Sequence, residues 1–368
     1  MFIVVRSNPS TPARISALVA RTGKSIMRRI LPALVIGLIL IAVRTLYAQD
    51  DDRDRGRHRG GDRDVWLSGV DPEAQKNRHL DEPADYMDLF KPDAPWSKAA
   101  SGLAVFKVGT RFVLHADDAE LRTMIDDLKR RHIAFAVELG LLENGGPGTC
   151  GYGVEGYGNP TAVESVAKRV KALGGQIDYV AMDEPVWFGH IVNKVSKSTG
   201  TGCQYSVPEL AEKVAPKIAL LRRYFPDIKI GDIEPVTGKG PGGPQYIEDI
   251  LTFEDLLRRK TGDAPVFVHA DMAWAAPGWQ PLLETLARRL HASDVRFGVI
   301  CDGDVAAGGN EAWIDQALQR CRAVAADPKT KPDDFIVQSW EPLPTKMLPE
   351  TDPGALTYAA RQVESWFQ

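Results

Sequence analysis

The sequence lacks a dominant charge of one sign. Its 368 residues carry a formal net charge of only −4, which excludes the strongly basic surface that nucleic acid or an anionic membrane attracts. It has only four cysteines, Cys150, Cys203, Cys301 and Cys321, and none lies in a recognisable thiol-catalysis motif. No Gly-x-Ser-x-Gly elbow is present, so serine hydrolase chemistry of that type is excluded. Long apolar runs are also missing, with one exception at residues 30–43, and that run stops short of the roughly 20 residues that span a bilayer. What remains is the balance of a soluble globular protein, 44% hydrophobic and 26% charged.

The exception marks the N-terminus. Arg6, Arg14, Arg21, Lys24, Arg28 and Arg29 precede "ILPALVIGLILIAV", with no acid among residues 1–29, and Ala48 follows. A basic region, an apolar region and a small residue make an export signal, cut near Ala48 or kept as a membrane tether through residues 30–43. Residues 1–48 are therefore expected to be signal or anchor. The run "DDDRDRGRHRGGDRD" has no large apolar residue, and residues 49–64 read as a disordered charged linker. The destination is export: periplasmic, secreted or tethered to the inner membrane.

From residue 65 to 368 one unit repeats: a short β-rich run, a loop, then an amphipathic helix. The runs occupy residues 65–69, 103–109, 133–140, 177–185, 228–235, 265–274, 296–304 and 334–342. Between them, Leu121, Met124, Ile125 and Leu128, or Val163, Val166, Val170 and Leu173, recur at helical spacing. Eight strands alternating with helices over about 300 residues predict a (β/α)8 barrel. An open doubly wound sheet would show Gly-x-Gly-x-x-Gly after its first strand, and "WLSGVDPEAQ" does not.

A barrel explains why "YVAMDEP" runs from apolar residues into two acids. Active sites of this fold lie at the C-terminal strand ends, where a carboxylate meets a cleft rather than the packed core. The ends offer Lys107, Glu138, Asp183 with Glu184, Asp232 with Glu234, His269 with Asp271, Asp302 with Asp304, and Glu341. Trp187, Trp274, Trp279 and Trp340 fall in or just after strand ends, where their flat faces suit sugar rings. Glycosidic cleavage needs one carboxylic acid and one carboxylate, and this mouth is rich in both. A metal-dependent hydrolase or isomerase is the weaker reading, since the first strand has no His-x-His and only His269 lies at a strand end.

"MDEP" ending the fourth strand, with "SWEP" ending the eighth, resembles the barrel glycoside hydrolases. In their largest clan the fourth strand ends in Asn-Glu-Pro and that Glu is the acid/base. By position the resemblance implies this role for Glu184, with Asp183 in place of the Asn. The clan's nucleophile is a Glu ending the seventh strand; "CDGD" stands there, so Asp302 is the nearest counterpart. The Asp-Glu pair also resembles hexosaminidases, whose Asp orients the substrate's acetamido group, whereas the chitinase DxxDxDxE pattern is not met.

The expectation is a glycosidase acting on an oligosaccharide or polysaccharide of the cell envelope or the exterior, with no cofactor and no metal. Glu184 donates the proton, Asp183 tunes it, and the second carboxylate is Asp302, Glu341 or Glu234. Lys107, Glu138, Trp187, His269, Asp271, Trp274 and Trp340 hold the sugar. A catalytically silent glycan-binding barrel is the alternative. Cys150 and Cys203, in neighbouring loops after strands three and four, are expected to pair, and Cys301 and Cys321 to stay reduced.

Overall fold

The computed structural model describes residues 63–74, 85–192, 200–238, 242–263 and 265–367. The segment expected to be signal or anchor and nearly all of the expected linker, residues 1–62, lie outside them, as do residues 239–241 of the Gly/Pro-rich loop.

Eight parallel strands close into a barrel: β1 (Asp64–Ser68), β2 (Leu103–Gly109), β3 (Ala134–Leu139), β4 (Tyr179–Asp183), β5 (Lys229–Val236), β6 (Phe267–Met272), β7 (Arg296–Cys301) and β8 (Asp334–Gln338). Each pairs with the next in chain order, and β8 returns to β1 with Ile336 opposite Trp66. Strand centres are apolar on both faces because both faces are covered. Trp66, Val105, Ala136, Tyr179, Ala181, Ile233, Phe267, Ile300 and Ile336 form the inner core. Residues of opposite parity, such as Val180, Met182, Val268 and Ala270, pack outward with the helices.

The long helices are α1 (Asp118–Arg131), α2 (Ala162–Ala172), α3 (Val207–Tyr224), α4 (Pro244–Thr261), α5 (Gln280–His291), α6 (Asn310–Ala326) and α7 (Leu356–Ser365). α3 starts where the sequence signals it: Ser206 and Glu209 form a capping box and Pro208 lies in the first turn. No helix of the described residues is long and apolar enough to cross a membrane. At the N-terminal end of the barrel, Arg296 closes the floor through ion pairs to Asp334 and Asp64.

Two disulfides are present among the described residues. Cys150–Cys203, with Cα atoms 4.9 Å apart, ties the loop after β3 to the loop after β4. Thr201 C=O accepts from Gly151 N–H beside it, at 2.7 Å. The second, Cys301–Cys321, corrects the expectation of a reduced pair; its Cα atoms are 5.6 Å apart. Cys301 has the outward parity of Val299 and therefore faces the helix layer. The segment after β7 carries the start of α6 beyond the strand end, so a later turn of the helix comes level with Cys301. Arg320, next to Cys321, accordingly reaches the Asp302 carbonyl over 3.0 Å. Two disulfides suit an exported protein.

Candidate active site

β4 presents Tyr179, Ala181 and Asp183 to the barrel interior, so the Asp183 side chain enters the mouth. Glu184 follows at φ 47°, in the left-handed region that a side chain occupies at a cost of about 1 kcal/mol. Its carbonyl accepts from Phe188 N–H (3.0 Å), so Glu184 is the N-terminal cap of a short helical turn through Pro185 and Val186 into Trp187–Ile191. The loop after β3 supports this bend. Gly156 N–H donates to Asp183 Oδ2 at 3.3 Å, and a Cβ on Gly156 would stand 2.6 Å from the Asp183 carbonyl oxygen.

The inward parity of the neighbouring strands sets the rest of the mouth. Lys107 of β2 is fully buried and its ammonium pairs with Glu138 of β3 at 2.5 Å. Gln338 of β8 donates to the same Glu138 oxygen at 3.4 Å. Asp271 of β6 lies across from β4, and its charge is the largest that acts on Glu184. Burial pushes Asp271 up to about 7, with Asp302 adding repulsion and Glu184 opposing it. Glu184 is held well above the usual glutamate range by burial first, then by the charges of Asp271, Glu155, Asp183 and Glu234. Asp183 is raised well above its usual value by burial, then by Glu155 and Glu138.

At the end of β7, Asp302 accepts from the Trp274 indole N–H at 2.5 Å, and the Arg320 guanidinium lies 5.7 Å from the centre of the Trp274 ring. Burial raises Asp302 to about 6, against the Trp274 hydrogen bond and the Arg320 charge. Trp340 packs against the inner core from the end of β8. Glu341 is half-buried on the segment after β8, its backbone N–H on the Ser339 hydroxyl at 3.3 Å.

Three residues expected at the mouth are placed otherwise. Glu234 faces the helix layer, because Ile233 takes the inward position of β5. There it accepts from Val186 N–H (2.6 Å), Trp187 N–H (3.1 Å) and the Tyr246 hydroxyl. The Trp187 ring meets Tyr246 edge to face at 5.3 Å, so it serves that same outer contact. His269 has no exposed surface: its ring stacks on Phe267 at 4.0 Å, meets Trp66 edge-on at 4.7 Å, and its Nε2 faces Asp334 at 3.2 Å. Burial lowers its pKa, keeping it neutral.

Sequence reading missed Glu155, whose charge acts on both Asp183 and Glu184. It sits in "GYGVEGYG", between positive-φ glycines at 153 and 156, in the loop tethered by Cys150; an acid isolated in a glycine-rich loop was the only local signal. Gln338 and Tyr246 were missed because neither belongs to a motif. Among the described residues no three His, Cys, Asp or Glu side chains are grouped so as to hold a metal ion.

No protein-family profile matches the chain, and no curated protein does. Solved structures resemble it in backbone only. The catalytic domain of β-amylase from Paenibacillus polymyxa aligns at a TM-score of 0.44 and 8% identity, over 83% of this chain and 98% of its own. Pyruvate kinase of Cryptosporidium parvum aligns at 0.47 and 7%, over 83% of this chain and 71% of its own. Morphinone reductase in complex with tetrahydroNAD aligns at 0.42 and 12%, over 74% and 82%. These proteins bear different activities, and none passes to this chain at such scores.

Proposed function

We propose that the protein is a glycosidase of the cell envelope or exterior, cleaving an oligosaccharide or polysaccharide by carboxyl acid/base catalysis. The observation that supports this reading is the group of acids that β4 and β6 bring to the C-terminal mouth, Asp183, Glu184 and Asp271, all raised by burial. Glu184 holds the proton that the leaving glycosidic oxygen needs, and a neighbouring carboxylate stabilises the positive ring carbon and takes the proton of attacking water. Asp271, ionising at about 7, serves this second role. Asp183, fixed by Gly156 N–H, raises Glu184 by its charge. Lys107 with Glu138, Gln338 and the partly buried Trp274 and Trp340 would meet sugar hydroxyls and ring faces. Residues 30–43 would deliver the chain to the envelope as signal or tether.

The test is Glu184→Gln, assayed on a panel of aryl glycosides and envelope glycans. Turnover is expected to fall about 10²-fold or more, the scale of lost general acid catalysis, and less on substrates with good leaving groups. Asp183→Asn is expected to cost less. Unchanged turnover in Glu184→Gln would remove Glu184 from the mechanism. Glycan binding without cleavage by the wild-type protein would favour a silent barrel, a reading to which the absence of a Glu after β7 already leans.

A further inference from the structure

Helical turns normally receive their first amide hydrogens on the side chain of the capping residue itself. The turn after β4 departs from this. Its capping residue is Glu184, and no hydrogen bond from its carboxyl to the amides of the turn is present. The free N–H groups of Val186 and Trp187 are instead satisfied from behind, one on each oxygen of Glu234. Glu234 is fully buried, projects from β5 into the helix layer, and has Tyr246 of α4 as a third donor. Asp232, two residues earlier on the same face, and Glu254 of α4 are buried as well, and neither carboxyl has a hydrogen-bond partner among the described residues. Burial favours the protonated form of all three. Burial raises Glu234 to about 8, against the hydrogen bonds it accepts from Tyr246, Val186 and Trp187.

We infer that Glu234 is the positioning residue of the site: from the helix side of the barrel wall it caps the turn in place of Glu184, and so frees and aims the Glu184 carboxyl. Two geometric facts support the assignment. A left-handed Glu184 persists only where surrounding structure over-determines it, and the clamp acts within three residues of it. The clamp is also bidentate on successive amides, which fixes the direction of the turn as well as its distance from β5.

The inference rests on the acid role of Glu184, and its test separates the two. Glu234→Gln keeps the shape but replaces one accepting oxygen with a donor, leaving either Val186 or Trp187 N–H unpaired. In the full-length protein, exchange of those two amides is expected to quicken at least tenfold. The Glu184 carboxylic acid band, assigned in infrared titration by its loss in Glu184→Gln, is expected to shift its midpoint toward the ordinary glutamate value. On an aryl glycoside, kcat is expected to fall tenfold or more with KM within about threefold. Glu234→Asp, which retracts the carboxyl by one methylene and keeps both oxygens, should show the same changes at smaller amplitude and serves if the Gln variant does not fold. An unmoved Glu184 midpoint together with unchanged amide exchange in either folded variant overturns the inference. A wild-type protein that hydrolyses no glycoside overturns the proposed function instead, while exchange and titration still decide the role of Glu234.

Discussion

Asp271 of β6 supplies the largest charge that acts on Glu184 of β4 across the barrel mouth, although 87 positions separate them in sequence. Burial raises both, Asp271 to about 7 and Glu184 well above the usual glutamate range. If catalysis uses Glu184 as acid and Asp271 as carboxylate, kcat/KM should rise with pH through a midpoint of about 7 and fall only where Glu184 deprotonates. Asp271→Asn should abolish the rising limb. Initial rates from pH 5 to 10 on an aryl glycoside check this; a rising limb retained in Asp271→Asn would assign it to another group.

Gly156 holds the Asp183–Glu184 bend from above. Its φ is +79° and an added Cβ would meet the Asp183 carbonyl oxygen at 2.6 Å. Gly156→Ala is expected to lower stability by about 2 kcal/mol, combining left-handed strain with overpacking. Gly156→Asn tolerates the left-handed backbone but not the contact, and should be nearly as unstable. Thermal melts of both variants separate the causes: an Asn variant as stable as wild type would mean the contact is harmless.

The buried acids behind β5 tie stability to pH. Burial raises Glu234 and Glu254 each to about 8, from an ordinary value of 4.5. A carboxyl raised in the folded state binds its proton more tightly there than in the unfolded chain. Its contribution is therefore complete below pH 4.5 and is lost as pH climbs through about 8. Glu254→Gln keeps a donor toward Asp232 but removes one titration. Its Tm should fall less steeply than that of wild type between pH 5 and pH 8, and should exceed it at pH 9. Parallel Tm–pH curves would contradict the assigned shift.

Mapping of non-reduced peptides should recover both Cys150–Cys203 and Cys301–Cys321. Their sequence separations of 53 and 20 correspond, in the chain-entropy account, to about 4 and about 3 kcal/mol respectively. Cys150→Ser with Cys203→Ser should also free the loop bearing Glu155, and the Glu184 midpoint should fall as that charge recedes. Denaturant melts and the infrared titration read the two effects separately.

Periodicity in the sequence was enough to determine the eight strands, the intervening helices and the end of each strand that carries acids. Those signals are local: apolar residues recur at strand or helix spacing, and Ser206, Pro208 and Glu209 mark a helix start within four positions. Tertiary structure alone decided which face each acid takes. Asp183 and Glu234 both lie near C-terminal strand ends on adjacent strands, yet one enters the mouth and the other the helix layer. Alternation predicts that Asp232 and Glu234 share a face, but the phase of that face follows from barrel closure and register, where Asp183 pairs with Ile233. Likewise the charges of Asp271 and Glu155 on Glu184 and the clamp of Glu234 on Val186 and Trp187 join residues 29 to 87 positions apart. No local pattern encodes such pairs, because their free energy depends on distances that exist only once the barrel has closed.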